Sequence, residues 1–71
     1  MKVYVSDIDA IPIGGGDEEL ASSLVALFGV AERIASKGFG KLKRIVMETD
    51  KNVLVVRKKG NKYIELDVIE K

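Results

Sequence analysis

Cysteine and histidine are both absent from these 71 residues, as are tryptophan and glutamine. Without cysteine there is no disulfide and no thiolate; without histidine there is no imidazole base, and the usual ligands of structural zinc are missing. A chain this short buries only about 60% of its unfolded surface. Disulfides and metals are the common supports for so small a core, so oligomerisation is the support left. There is one proline, at position 12, and only four aromatics. No window stays apolar for the roughly 18 residues a membrane span requires, and Met1-Lys2-Val3-Tyr4 lacks the apolar run of a signal peptide. The expectation is a soluble, cytoplasmic protein of one domain, residues 1–71. The scarcity of thermolabile residues beside abundant Lys and Glu is a thermophile-like composition.

Twelve Lys and Arg against eleven Asp and Glu leave a net charge of +1, but the signs are unevenly placed. Asp7, Asp9, Asp17, Glu18, Glu19 and Glu32 crowd the first half. Lys41, Lys43, Arg44, Arg57, Lys58, Lys59 and Lys62 crowd the second. Such a chain is dipolar and suited to steering a charged partner.

Alternating apolar residues place a strand at Lys2–Ser6 and a short second one at Ile11-Pro12-Ile13, joined by the turn-forming Asp7-Ile8-Asp9-Ala10. Pro12 donates no hydrogen bond, which confines its strand to an edge, a bulge or a strand end. After Gly14-Gly15-Gly16 a long helix runs to Gly38, with Gly16 or Asp17 as its cap and three acidic residues on the positive end of its dipole. Gly38 suits the left-handed position past the helix end, and Phe39 the hydrophobic contact that accompanies it. Three strands follow, at Leu42–Thr49, Val53–Lys58 and Lys62–Ile69, with Asn52 and Gly60-Asn61 supplying their turns. The predicted fold is α+β: a five-stranded antiparallel sheet with one long helix on one face, in the order β-β-α-β-β-β. Val53-Leu54-Val55-Val56 is apolar on both faces and reads as the central strand.

Leu20, Leu24, Leu27, Phe28, Ala31, Ile34 and Ala35 form the helix stripe expected to pack on the sheet. With Val25 and Val30 on its flanks, the apolar arc widens to roughly 220°, more than one packing surface needs. Ser22, Ala26 and Gly29 fill most of the rest with small side chains, which favours close packing by a second helix. One helix also leaves the other sheet face and both sheet edges uncovered.

The candidate chemical sites are weak. Gly14-Gly15-Gly16 precedes a helix, but Asp17-Glu18-Glu19 repels phosphate where a P-loop needs Gly-Lys-Ser/Thr. Asp7, Asp9 and Asp17 match no complete cation loop and are explained by turns and a cap. Ser6, Ser22, Ser23 and Ser36 have no histidine to activate them. The expectation is a non-enzymatic protein with no catalytic residue, cofactor or metal. The basic residues of 41–44 and 57–62 carry the alternative, a small nucleic-acid-binding domain in which Tyr63 adds stacking; the missing aromatic platform speaks against it.

Val5 to Ile13 as a hairpin, Glu19-Leu20-Ala21-Ser22-Ser23-Leu24 and Ala31-Glu32-Arg33-Ile34 in the helix, Lys41 to Glu48 as a strand and Val53 to Val68 as the closing hairpin together resemble the roadblock/dynein light chain family. The layout is also profilin-like. The resemblance covers nearly the whole chain and implies a homodimeric platform for a small Ras-like GTPase. It also implies that the strand after the helix pairs with its twin while the two helices pack together. On this basis Val25, Ala26, Gly29, Val30, Arg44, Ile45, Val46 and Met47 are the expected dimer interface. Family members carry a further helix at each end of such a domain, which residues 1–71 do not include, so this chain is expected to be a minimal form. GTPase contacts vary within the family, and no GTPase-binding residue is carried over.

Overall fold

The computed structural model describes residues 2–71, with side chains from Tyr4 onward. Strand β1 (Lys2–Asp7) is followed by helix α1 (Glu18–Ala35), then by β2 (Arg44–Glu48), β3 (Asn52–Lys59) and β4 (Tyr63–Glu70). The strands form one antiparallel sheet in the order β1-β4-β3-β2. Among the described residues the sheet therefore has four strands in the order β-α-β-β-β, which corrects the five strands and the β-β-α-β-β-β order read from the sequence.

The missing strand is Ile11-Pro12-Ile13, which pairs with β1 only through the single bridge Ser6↔Pro12. The Asp7 N–H donates to the Ile11 carbonyl at 3.0 Å and the Ile13 N–H to the Val5 carbonyl at 2.9 Å. Both bonds flank the Ser6–Pro12 pair, so the proline nitrogen points outward, where its lack of a proton costs nothing. Pairing stops there because Gly14 and Gly15, at φ 80° and 79°, turn the chain away.

Asp17 caps the helix, its side chain accepting from the Leu20 N–H at 3.1 Å. The helix ends at Ala35 with Ser36 as the cap, short of Gly38. Gly38 does adopt a positive φ of 100°, and the Phe39 N–H donates to the Ala35 carbonyl at 3.0 Å. Phe39 is 81% exposed, so the expected hydrophobic contact is not made. At the β2–β3 turn the organiser is Thr49, whose hydroxyl accepts from the Lys51 and Asn52 N–H groups at 3.2 and 2.9 Å. Asn52 instead begins β3, and in the β3–β4 turn the positive φ falls on Gly60.

Leu24 and Phe28 of the helix meet Val56, Ile64 and Leu66 of the two inner strands in a small buried core. Ala21 joins them, although the stripe read from the sequence omitted it. Ile34, which that stripe included, is 62% exposed. At about 100° per residue Ile34 sits roughly a quarter-turn from the Leu24–Phe28 line. Lys58, on the helix side of β3, closes the core's edge: its ammonium lies 3.7 Å from the Glu32 carboxylate and 5.9 Å from the Phe28 ring centre. The molecule measures 34 × 29 × 18 Å, its thin dimension being one sheet and one helix.

Candidate functional site

Two features of this two-layer fold are unfinished within the described residues: the outer edge of β2 and the sheet face opposite the helix. Strand β2 lies at the end of the sheet and pairs only with β3. Its alternation is regular, with Arg44, Val46 and Glu48 exposed and Ile45 and Met47 half-buried against the core. An edge strand presents a row of unpaired backbone donors and acceptors, and here no charge points inward and no bulge interrupts it.

Strand pairing also organises the open face into rows. Ile69, Val53 and Glu48 form one row, Asp67, Val55 and Val46 the next, and Glu65, Arg57 and Arg44 the third. Val46 is 58% exposed and Ile69 46%. Lys59 reaches Glu65 at 3.9 Å, and Lys71 pairs with Glu48. Arg44 and Arg57 stand directly opposite each other, and neither forms an ion pair among the described residues. Asp67 Oδ1 is shut off from solvent and has no hydrogen-bond partner there.

On the outward side of α1, Ala26, Gly29 and Val30 are exposed, while Val25 is half-buried beside the core. A Cβ at Gly29 would meet nothing within 4 Å, so no contact within the chain requires glycine. Mid-helix glycine costs about 1 kcal/mol relative to alanine. Of the residues expected at the interface, Val25, Ala26, Gly29, Val30, Ile45 and Met47 thus lie on the helix side, while Arg44 and Val46 lie on the open face. Helix α1 itself lies nearest β1 and β4, toward the other end of the sheet from β2.

The other candidates are occupied or dispersed. The Asp7 carboxylate accepts from the Asp9 and Ile11 N–H groups, both at 2.9 Å, closing its own turn. Among the described residues no group of three or more potential ligands gathers to hold a metal. The Ser6 hydroxyl is buried and donates to the Asp7 carbonyl at 2.8 Å. Ser6 lines a cavity of about 100 Å³ with Tyr4, Pro12 and Leu24. The basic residues divide: Lys58 faces the helix, while Arg44, Arg57 and Lys59 face the other way. Among the described residues no helix is long and apolar enough to cross a membrane.

A sheet of this order, with one helix on one face and a free edge on the strand that follows the helix, defines a class of small two-layer α+β domains. No protein-family model matches the chain, and no curated protein matches it in sequence. Solved structures do. The chain is similar to the Roadblock/LC7 domain from Streptomyces avermitilis, with a TM-score of 0.78 and 16% identity over 96% of this chain and 63% of that one. It is similar to Myxococcus xanthus MglB, with a TM-score of 0.83 and 16% identity over 97% and 63%. It is also similar to the gliding protein MglB from Thermus thermophilus, with a TM-score of 0.76 and 11% identity over 96% and 58%. The fold is that of roadblock/LC7 domains. The chain spans less than two thirds of the length of each of these three structures.

Proposed function

We propose that this chain is a non-enzymatic, homodimeric roadblock-type module that binds and positions a small Ras-like GTPase. The observation that carries the dimer is the self-complementary edge strand, Arg44-Ile45-Val46-Met47-Glu48. Antiparallel pairing of two copies centred on Val46 sets Arg44 against the partner's Glu48 on the open face. It sets Ile45 against the partner's Met47 on the helix side and leaves valine facing valine. Every opposed pair is then complementary in charge or in apolar character. The same two-fold axis keeps both helices on one side, where Ala26, Gly29 and Val30 offer a small-residue surface for close packing. The open face, continuous across the joined sheets, is the surface offered to the partner.

The partner class rests on the roadblock fold, whose domains serve as platforms for small GTPases.

Sedimentation equilibrium over a dilution series tests the dimer, and charge reversal tests its register. Arg44→Glu sets two Glu–Glu contacts across an isologous interface and is expected to raise the dissociation constant roughly tenfold. Adding Glu48→Arg restores both pairs and the affinity. A parent chain that stays monomeric at high concentration ends the dimer reading, and a double variant as weak as the single one ends this register. Titration against a panel of small GTPases in both nucleotide states, with no complex formed, would end the partner assignment.

A further inference from the structure

Between Glu32 and Glu48 the chain has no acidic residue, and it carries Arg33, Lys37, Lys41, Lys43 and Arg44. The loop in this stretch enters β2 at the end of the sheet where β3 turns into β4. Gly40, Lys41 and Leu42 share a cleft there with Lys58 and Asn61, which brings Lys62 of that turn to the same end. None of Lys37, Lys41, Lys43 and Lys62 has a carboxylate in ion-pair range among the described residues. Of the acidic side chains at this end, Glu32 is engaged by Lys58 and Glu65 by Lys59, while Asp7 and Asp9 belong to the far edge of the sheet, where β1 ends. At the tip of the basic loop stands Phe39, 81% exposed, between Gly38 and Gly40 at φ 100° and 108°. A Cβ added at either glycine would meet nothing within 4 Å, so these left-handed turns hold Phe39 clear of the fold instead of packing it down.

We propose that residues 37–43 dock the protein peripherally on an anionic lipid bilayer, with Phe39 entering the boundary between headgroups and acyl chains and the lysines holding the headgroups around it. An exposed apolar tip flanked by cations calls for a partner that offers negative charge and, a few ångströms deeper, hydrocarbon. A bilayer supplies both everywhere along its surface. The cations flanking the tip, Lys37, Lys41 and Lys43, are all lysine: a compact, hydrated charge on a flexible apolar stem, suited to a diffuse field of headgroups more than to one bidentate anion. Nucleic acid fits less well. Phe39 stands alone where a strand binder needs a stacking platform, and Ile34, 62% exposed in the last helical turn, adds apolar area that a phosphate backbone does not use. With a net charge of only +1, the attraction is local to this end of the molecule. The loop precedes Arg44–Glu48 and lies outside the edge segment of the proposed dimer, so the inference does not rest on that reading.

The test is co-sedimentation of the full chain with vesicles of phosphatidylcholine containing roughly one third phosphatidylserine, against vesicles of phosphatidylcholine alone. Binding is expected on the anionic vesicles only and should weaken as salt is raised. Phe39→Ser should weaken it about tenfold, and each of Lys37→Gln, Lys41→Gln and Lys43→Gln about fivefold. All four positions are exposed, so these variants should melt as the parent does. Because the chain has no tryptophan, Phe39→Trp provides a single reporter whose emission should shift to the blue on the anionic vesicles. Absence of binding, binding that ignores both kinds of variant, or a bound Phe39→Trp chain whose emission does not shift would overturn the proposal. Capture of an oligonucleotide through the same lysines, with vesicles ignored, would overturn it and assign the loop to nucleic acid. Sedimentation without vesicles reads the β2 edge separately, so a monomer that binds the vesicles removes the dimer and leaves this inference standing.

Discussion

Phe28 and Asp67 mark the extremes of what one residue does in so thin a molecule. Phe28 is 2% exposed and central to a core of few fully buried side chains. Truncating it to alanine removes about 3–5 kcal/mol, against a total stability of about 4–11 kcal/mol for a chain of this length. Phe28→Ala is therefore expected to lower the melting temperature followed by circular dichroism by roughly 12–40 °C, at about 4–8 °C per kcal/mol. Asp67 works in the opposite direction. Its unpartnered Oδ1 sits in the row with Val55 and Val46, and a buried acceptor without a donor costs on the order of 1 kcal/mol or more. Asp67→Val is expected to raise the melting temperature by roughly 4–8 °C per kcal/mol recovered; a lower melting temperature would show that the carboxylate has a structural role. Asp17→Ala removes the helix cap and should cost about 1 kcal/mol in the same assay.

At the scale of elements, β2 and α1 carry the consequences for assembly. Both Ile45 and Val46 invite a lysine as a test of the edge, yet they are not equivalent. Ile45 packs against the core, so lysine there is expected to unfold the chain and report nothing about assembly. Val46 faces outward, and Val46→Lys is expected to leave the monomer folded while weakening self-association. Gly29 offers a paired readout on the helix. Gly29→Ala should stabilise an isolated chain by up to about 1 kcal/mol, because the new Cβ meets nothing. If the two helices approach closely there, the same methyl group lowers dimer affinity, and a dimer as tight as the parent's would move the helix contact elsewhere.

Over the whole molecule, what stands out is apolar surface with nothing on it. Val30, Ile34, Phe39, Val46 and Ile69 are all exposed large hydrophobic residues, spread over the helix, the loop after it and the open face. A core this small and a surface this apolar fit a chain completed by association. Folding coupled to association makes the melting temperature depend on concentration by mass action. Thermal unfolding across a hundredfold dilution is expected to show a falling midpoint, and an invariant midpoint would mean that the single chain is stable alone.

Local chemistry made much of this fold legible in the chain itself. The helix could be read from its acidic start, its 3.6-residue stripe through Leu24 and Phe28, and the glycine beyond its end. The closing meander was visible in apolar alternation broken at Asp50 and Gly60. These signals act between residues near in sequence, where propensity, capping and periodicity operate. Long-range placement was decided by the tertiary structure. Whether Ile11-Pro12-Ile13 became a strand depended on the backbone it met at Val5 and Asp7 and on the turn at Gly14 and Gly15. That Asp67 falls between valines, that Arg44 faces Arg57, and that Ala21 is buried while Ile34 is not follow from register and helix tilt. A one-residue change in either would turn each side chain toward a different surface, so those positions belong to the assembled sheet and not to any short stretch of sequence.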